Sequence, residues 1–313
     1  MSTTQRVVSS KTYATRNRRA SPRATERGWR WILLSPALLL LFALTLLPLV
    51  ELLVLSFSNV SWQKAKPILT NAGLANYAAL THDAVFRTSI RNTLVFTCIA
   101  VVLEIIFGLG LAFALGAVRR GKNLYTTAFM VPILLPGIVI GAIWALMYNP
   151  DFGIINSGLM ALSVPPQDWL GNPNLALGSV IAVDVWHWTP FCFLLLHAAV
   201  ESLPGDVFEA ARIDGAGAWQ RCWHVALPLL TPAILVVFAF RAVIAFKVFD
   251  EIYLLTSGGP GTATEVVSLT IYRRFFIEDH AGSGAAMSIT AFLVLGAVTA
   301  ALMRTMWSRT RRS

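Results

Sequence analysis

Six stretches of this chain are each apolar enough and long enough to cross a lipid bilayer, and a water-soluble fold cannot hide that many. A hydrocarbon core of about 30 Å takes about 20 helical residues. Runs of that kind lie at 31–57, 93–118, 126–148, 175–200, 231–255 and 285–307. Inside lipid the backbone finds no water, so only helices and closed barrels span it. Barrel strands would read as alternating segments of about ten residues, whereas these runs are continuous. An all-α membrane protein with six transmembrane helices is therefore expected. Composition agrees: 56% of the 313 residues are hydrophobic and 13% charged, more apolar than a soluble core needs.

Positive charge sets the expected orientation, because cytoplasmic flanks retain Lys and Arg during insertion. Arg6, Lys11, Arg16, Arg18, Arg19, Arg23, Arg27 and Arg30 precede the first run. Arg119, Arg120 and Lys122 fall between the second and third, and Arg304, Arg309, Arg311 and Arg312 at the end. Both termini are expected inside, which requires an even number of spans. The connection after the third run carries no Lys or Arg and is expected outside. The net charge of +9 sits in short juxtamembrane runs without interleaved aromatic residues, so topology and anionic lipid account for it and nucleic acid does not. The first run exceeds a signal-peptide core and no small-residue cleavage site follows it, so it is expected to be retained. Residues 1–30 then form a basic, largely disordered tail, 31–87 the first span and an outer loop, 88–307 a core of five spans, and 308–313 a second basic tail.

Little here points to catalysis. Cys98, Cys192 and Cys222 are scattered among apolar segments and form neither a disulfide framework nor a metal-ligand cluster; they are expected to be core thiols. GAVRRGK at 116–122 has the spacing of a phosphate-binding loop, but Asn123 replaces the Mg²⁺-ligating hydroxyl residue and a transmembrane run, not a strand, precedes it. No catalytic residue and no metal site is expected. If ATP powers this protein, another chain must bind it.

Ionisable residues inside spans are costly in hydrocarbon and mark functional positions by default. Glu104, Asp184, Arg241 and Lys247 are of this kind. Glu104, beside Gly108 and Gly110, reads as a partner for another helix. Asp184 and Arg241 read either as site residues or as an ion pair between helices, with His187 and Glu251 at the edges. The run Trp186-His187-Trp188-Thr189-Pro190-Phe191 mixes aromatic faces, which pack on the C–H faces of sugars, with polar groups that reach hydroxyls. Pro190 removes a helical hydrogen bond and is expected to open a local backbone site. Gly137 and Gly141 form a small-xxx-small pair suited to close helix packing, and Pro132 and Pro136 should kink the third span.

Between the fourth and fifth runs lies EAARIDGAGAWQRCWHVALPLLTP, residues 209–232. Asp206 with Glu209 has the form of a capping box, starting a helix that stops at Gly215. Ala210, Ala211 and Ala216 would let that helix seat in a partner's groove, Asp214 and Gly215 make a turn, and a second helix over 218–225 leads to Pro228. Downstream stand FDEIYLLT at 249–256 and SGGPGTATE at 257–265; upstream stand FGIIN at 152–156 and DWL at 168–170.

The 209–232 stretch resembles the cytoplasmic coupling loop of binding-protein-dependent ABC importer permeases. The flanking motifs resemble the carbohydrate group of that family, of the maltose and glycerol-phosphate type, and more its larger maltose permease than the companion subunit. The resemblance implies a type I importer permease in a prokaryotic cytoplasmic membrane, moving a sugar, polyol or glycerol-phosphate-like solute by alternating access. It implies that Glu209, Ala210, Ala211, Asp214, Gly215 and Ala216, within a loop over 201–230, dock onto an ATPase. It places solute against Asp184, His187, Trp188 and Phe191 of span four and Arg241, Ile244, Ala245 and Val248 of span five. Implied partners are a second permease, two ATPase subunits that bind ATP and Mg²⁺, and an extracytoplasmic solute-binding lipoprotein. Two departures stand out: Cys222 occupies a position where the family has Phe, and the last four solute positions are less polar than in the maltose case. The competing classes are a secondary transporter or channel, which should show a halves-symmetric repeat, and an intramembrane enzyme, which should show paired carboxylates or a metal motif. Neither accounts for the loop.

Overall fold

A computed structural model describes residues 23–63, 66–116, 118 and 120–310. The expected disorder of residues 1–22 and the tail at 311–313 lie outside the described residues. The chain divides into two compact units, residues 1–51 and 52–313. In the first, α1 (Arg23–Ser56) is already helical at Arg23, so residues 23–30 form its first turns where the sequence reading placed tail. Its side chains from Leu33 to Leu47 are exposed and almost wholly apolar, as a lipid-facing helix requires.

The second unit opens with an antiparallel hairpin, β1 (Ser58–Gln63) and β2 (Lys66–Asn71), in which Ser58 faces Asn71 and Val60 faces Leu69. No sequence argument above anticipated it. A short α2 (Ala75–His82) leads into α3 (Ala84–Gly116), and α3 pairs along its length with α7 (Ala176–Glu201). Buried residues of α3 recur at Phe96, Ala100, Val101, Glu104, Ile105, Gly108 and Ala112, the three-and-four spacing of one helix face. In lipid that face is selected by close fit, since the opposite face is just as apolar. Gly108 shows the fit directly: a Cβ there would lie 2.9 Å from the Phe193 backbone nitrogen and 3.0 Å from the Cys192 Cβ.

Two expected spans are not single helices. Over 126–148 the chain forms α4 (Lys122–Phe129), a 3₁₀ turn at Pro132–Leu134, and α5 (Gly137–Met147). Pro132 and Pro136 offer no N–H to continue the ladder, and Leu135 is pushed to extended backbone at ψ 135° by the proline that follows it. The prolines therefore break the span where a kink was expected. α5 packs on α11 (Asp250–Leu255) through the glycine pair: a Cβ at Gly141 would lie 2.8 Å from that of Leu254, and one at Gly137 3.2 Å from that of Asp250.

The fifth span departs at both ends. A short α6 (Ile154–Ala161) lies in the loop after α5. α8 (Gly205–Ile213) and α9 (Ala218–Arg221) form the loop after α7. From α9 a π-helical turn, Cys222–Ala226, runs into α10 (Leu227–Phe246), so no separate helix over 218–225 exists, and Pro228 follows directly on the π turn, where its missing N–H removes one bond of the helical ladder. At the far end α10 stops at Phe246, well before the expected residue 255, and resumes as α11. Among the described residues five helices are long and apolar enough to span a membrane, and α5 is a shorter apolar helix. The chain closes with α12 (Val267–Tyr272), a π turn, and α13 (Ala281–Thr310).

Candidate solute site and coupling loop

The break in α10 makes the site. No Gly or Pro marks it. Lys247 and Val248 close the helix with hydrogen bonds to carbonyls three residues back, 3.1 Å each, and Phe249 turns the chain at φ −141°, ψ −58°. The freed Val248 carbonyl accepts from the Ser268 hydroxyl on α12, so the unwound turn is satisfied from the next element, as irregular backbone at membrane depth requires. Beside the break lies a cavity of about 330 Å³ lined by Asp184, His187 and Trp188 of α7, by Arg241 and Ile244 of α10, and by the turn from Lys247 to Glu251 with Gly137 opposite.

Arg241 is wholly buried. Its Nε donates to Glu104 Oε2 at 2.5 Å and its Nη2 to Glu104 Oε1 at 2.5 Å, a two-bond fork. Nη2 also reaches Asp184 Oδ2 at 2.9 Å. Three helices, α3, α7 and α10, thus meet through one guanidinium, whose planar donors suit two carboxylates better than an ammonium would. The guanidinium carbon lies 4.5 Å from the centre of the Trp188 ring, within cation–π range. Nη1 is buried and has no hydrogen-bond partner. Nearby, His187 Nδ1 lies 3.0 Å from Glu251 Oε1, joining α7 to α11 across the break.

Of the eight positions proposed for solute, six line this cavity: Asp184, His187, Trp188, Arg241, Ile244 and Val248. Two do not. Ala245 is buried in the core among apolar neighbours, one residue round the helix from Ile244, and Phe191 packs against the Trp188 ring in a T-shaped contact with centroids 6.1 Å apart. Pro190 does not open α7, which continues unbroken through it; the opening lies in α10. Lys247, singled out in the sequence as an ionisable residue within a span, lines the cavity, and Phe249 and Asp250 line it unanticipated, because nothing local in the sequence signals the end of α10 at Phe246.

The loop is largely exposed. Asp206 and Glu209 form no capping box: α8 starts at Gly205 behind Pro204, with no side-chain cap, which places Asp206 inside the first turn. The stop at Gly215 is built as a Schellman motif. Gly215 adopts φ +77°, its N–H donates to the Arg212 carbonyl at 3.0 Å, and the Ala216 N–H donates to that of Ala211 at 2.9 Å. Arg221 Nη1 then holds the Ala216 carbonyl at 2.7 Å, and the Gln220 side chain accepts from the Gly217 N–H at 2.8 Å. Glu209, Ala210, Asp214 and Gly215 are exposed, and Ala211 and Ala216 half-buried. Around them Ile213 is 87% exposed and Trp219 73%, an apolar surface with no cover among the described residues.

The chain is thus a helical membrane protein with a charged cavity at the break after α10 and an exposed, capped loop before it. Residues 104–312 match the family model described as binding-protein-dependent transport system inner membrane component, and the chain belongs to that family. It is 35% identical to the trehalose/maltose transport system permease protein MalF of Thermococcus litoralis, over 85% of this chain and 89% of that one. It is 34% identical to the trehalose transport system permease protein SugA of Mycobacterium tuberculosis, over 88% and 87% of the two chains. A crystal structure of a bacterial ABC transporter involved in import of the acidic polysaccharide alginate shares the fold, with TM-score 0.79 at 21% identity over 91% of this chain and 98% of that one.

Proposed function

We propose that this chain is one of two permease subunits of an ATP-driven importer that carries a sugar across the cytoplasmic membrane of a prokaryote. One observation carries the reading: the loop and the cavity sit at opposite ends of a single helix. Ala218–Phe246 is helical over 29 residues, with a π turn at Cys222–Ala226, about 43 Å at 1.5 Å per residue. A displacement of the loop by an ATPase would therefore reach Arg241 and the turn at Lys247 along one continuous helical segment. The relatives named for trehalose and maltose transport support a sugar as the solute. In this reading both termini face the cytoplasm, a solute-binding protein delivers sugar from outside, and ATP and Mg²⁺ are bound and ATP hydrolysed by two partner ATPases, so the chain itself is no enzyme. The half-buried Trp188 supplies an apolar face to the sugar.

Trp188→Ala tests the site. Losing the ring should cost about 1–3 kcal/mol of solute binding, a fall in sugar uptake of roughly fivefold or more, while the complex assembles and loaded binding protein still stimulates ATP hydrolysis. Uptake at the wild-type rate would remove the cavity from the solute path.

A further inference from the structure

We propose that a groove between α2, α3 and α13 holds one acyl chain of an anionic phospholipid, with its phosphate on Arg87 and Arg91. The site rests on the orientation proposed above and is independent of which solute is carried. The groove encloses about 340 Å³ and is walled by Tyr77 and Leu80 of α2, Phe86 and Ile90 of α3 and Val294 of α13. Its two hydroxyls are already used: Thr81 donates to the Ala78 carbonyl at 2.7 Å and Thr290 to that of Ala286 at 2.8 Å. Arg87 is the one charged residue of the lining. An apolar wall with a cationic edge matches a phospholipid's own division into chain and headgroup.

Arg87 and Arg91 are exposed and, four residues apart, share a face of α3. Neither guanidinium has a hydrogen-bond or ion-pair partner among the described residues. The neighbouring acid is taken: Asp83, one turn before Arg87, accepts from Arg274 Nη2 at 2.7 Å and from the Phe86 N–H at 2.9 Å. Two like charges at this spacing repel, an anion between them reverses the sign, and guanidinium donors meet phosphate oxygens in pairs. Depth selects the kind of anion. α3 has 33 residues, about 50 Å at 1.5 Å per residue, against a hydrocarbon core of about 30 Å. Both arginines precede its apolar run, which starts at residue 93, and so stand at headgroup depth. Val294 lies ten residues before the inner-flank Arg304, about 15 Å along α13, which is half the core. The groove therefore descends from the headgroups to the middle of the bilayer, the reach of one acyl chain. These arginines lie on the outer flank, where insertion does not favour positive charge, so topology does not account for them. A zwitterionic lipid brings its own cation to the edge, and free phosphate leaves the groove unfilled.

The test uses the delipidated complex of both permeases and both ATPases in detergent. It is titrated with phosphatidylglycerol or with phosphatidylcholine of the same chains, and bound lipid is counted by native mass spectrometry. The expected result is one phosphatidylglycerol per copy of this chain whose affinity falls about tenfold or more in the double variant Arg87→Gln, Arg91→Gln, as two arginines at a headgroup warrant. Phosphatidylcholine should bind that site at least fivefold more weakly. Val294→Trp, which fills the groove, should remove the same lipid; if it fails to assemble, Thr81→Trp at the exposed end of the lining should do so. Phosphatidylglycerol binding unmoved by the arginine changes, or phosphatidylcholine bound within fivefold of it, overturns the proposal. Binding lost with the arginines but kept in the tryptophan variants, and displaced by excess inorganic phosphate, would show an anion site without the groove and overturn it as well. Unchanged lipid binding with loss of permease pairing in the tryptophan variants would give the groove to the second permease instead. None of these outcomes depends on sugar uptake, so the solute reading stands or falls separately.

Discussion

Arg241→Ala is expected to abolish assembly. The guanidinium is the sole counter-charge in contact with Glu104 and Asp184 among the described residues, and removing one partner of a buried ionic group costs about 3–5 kcal/mol, because the remaining charge is stranded. That is more than a hundredfold in the ratio of folded to unfolded protein, and the yield of detergent-extracted complex should fall by tenfold or more. The triple change Glu104→Gln, Asp184→Asn and Arg241→Met removes every charge together. It should restore most of the yield, since neutral replacements of a buried ionic cluster are often tolerated, yet leave uptake lost, because Nη1 and the cover on Trp188 are gone. Wild-type yield in Arg241→Ala would mean that the three helices do not depend on this contact. Recovery of uptake in the triple variant would mean that the cluster is scaffold and nothing more.

The second large effect is expected at Gly215. Proline holds φ near −65°, whereas Gly215 stands at +77°, and its N–H to the Arg212 carbonyl would be lost. Gly215→Pro should therefore undo the Schellman stop, misplace α8 relative to α9, and reduce ATP-driven uptake by more than tenfold while both permeases still insert and pair. A Cβ at Gly215 would meet nothing within 4 Å, so Gly215→Ala carries only the backbone penalty of about 1–2 kcal/mol and should be milder. Glu209 gives a cleaner contrast. It caps nothing, so Glu209→Lys leaves α8 intact, and any loss of uptake reports contact with the ATPase. Equal uptake in Gly215→Pro and wild type would reduce the loop to a connector.

How much of this was legible in the sequence follows from where the information is stored. Membrane crossings are written in runs of about 20 apolar residues, so α1, α3, α7 and α13 could be read within a turn or so at most ends. The breaks were legible only where a residue type causes them. Pro132 and Pro136 announced trouble in the third crossing, although not that it would divide. The end of α10 is caused by tertiary partners, Ser268 holding the Val248 carbonyl and His187 pinning Glu251, and no local pattern carries that. The hairpin at 58–71 is likewise held by contacts remote in sequence, with the Asn76 side chain donating to the Ser56 and Ser58 carbonyls at 3.1 Å each.

The candidate site divides along the same line. Charged residues in spans stand out in any sequence, so Glu104, Asp184 and Arg241 could be singled out one by one. The sequence reading set Asp184 against Arg241 and left Glu104 to an unnamed helix; the structure gives the two-bond fork to Glu104 and a single bond to Asp184. Helical spacing alone decides that outcome. Glu104 lies four residues before Gly108, where a Cβ would lie 2.9 Å from the α7 backbone at Phe193, and the absence of a side chain there lets both acids reach one guanidinium. Asp206 and Glu209 show the reverse failure: the capping pattern was present, but Pro204 set the helix start two residues too early for it to be used.

ATP-driven uptake of labelled trehalose and maltose tests the central claim most directly. It is measured in proteoliposomes that hold the four-subunit complex with ATP inside and binding protein outside. The account predicts accumulation only when ATP and binding protein are both present, and its loss in Gly215→Pro at unchanged complex content. Equilibration of sugar without ATP or binding protein, at a rate indifferent to Gly215→Pro, would contradict it and make this chain a passive or secondary carrier.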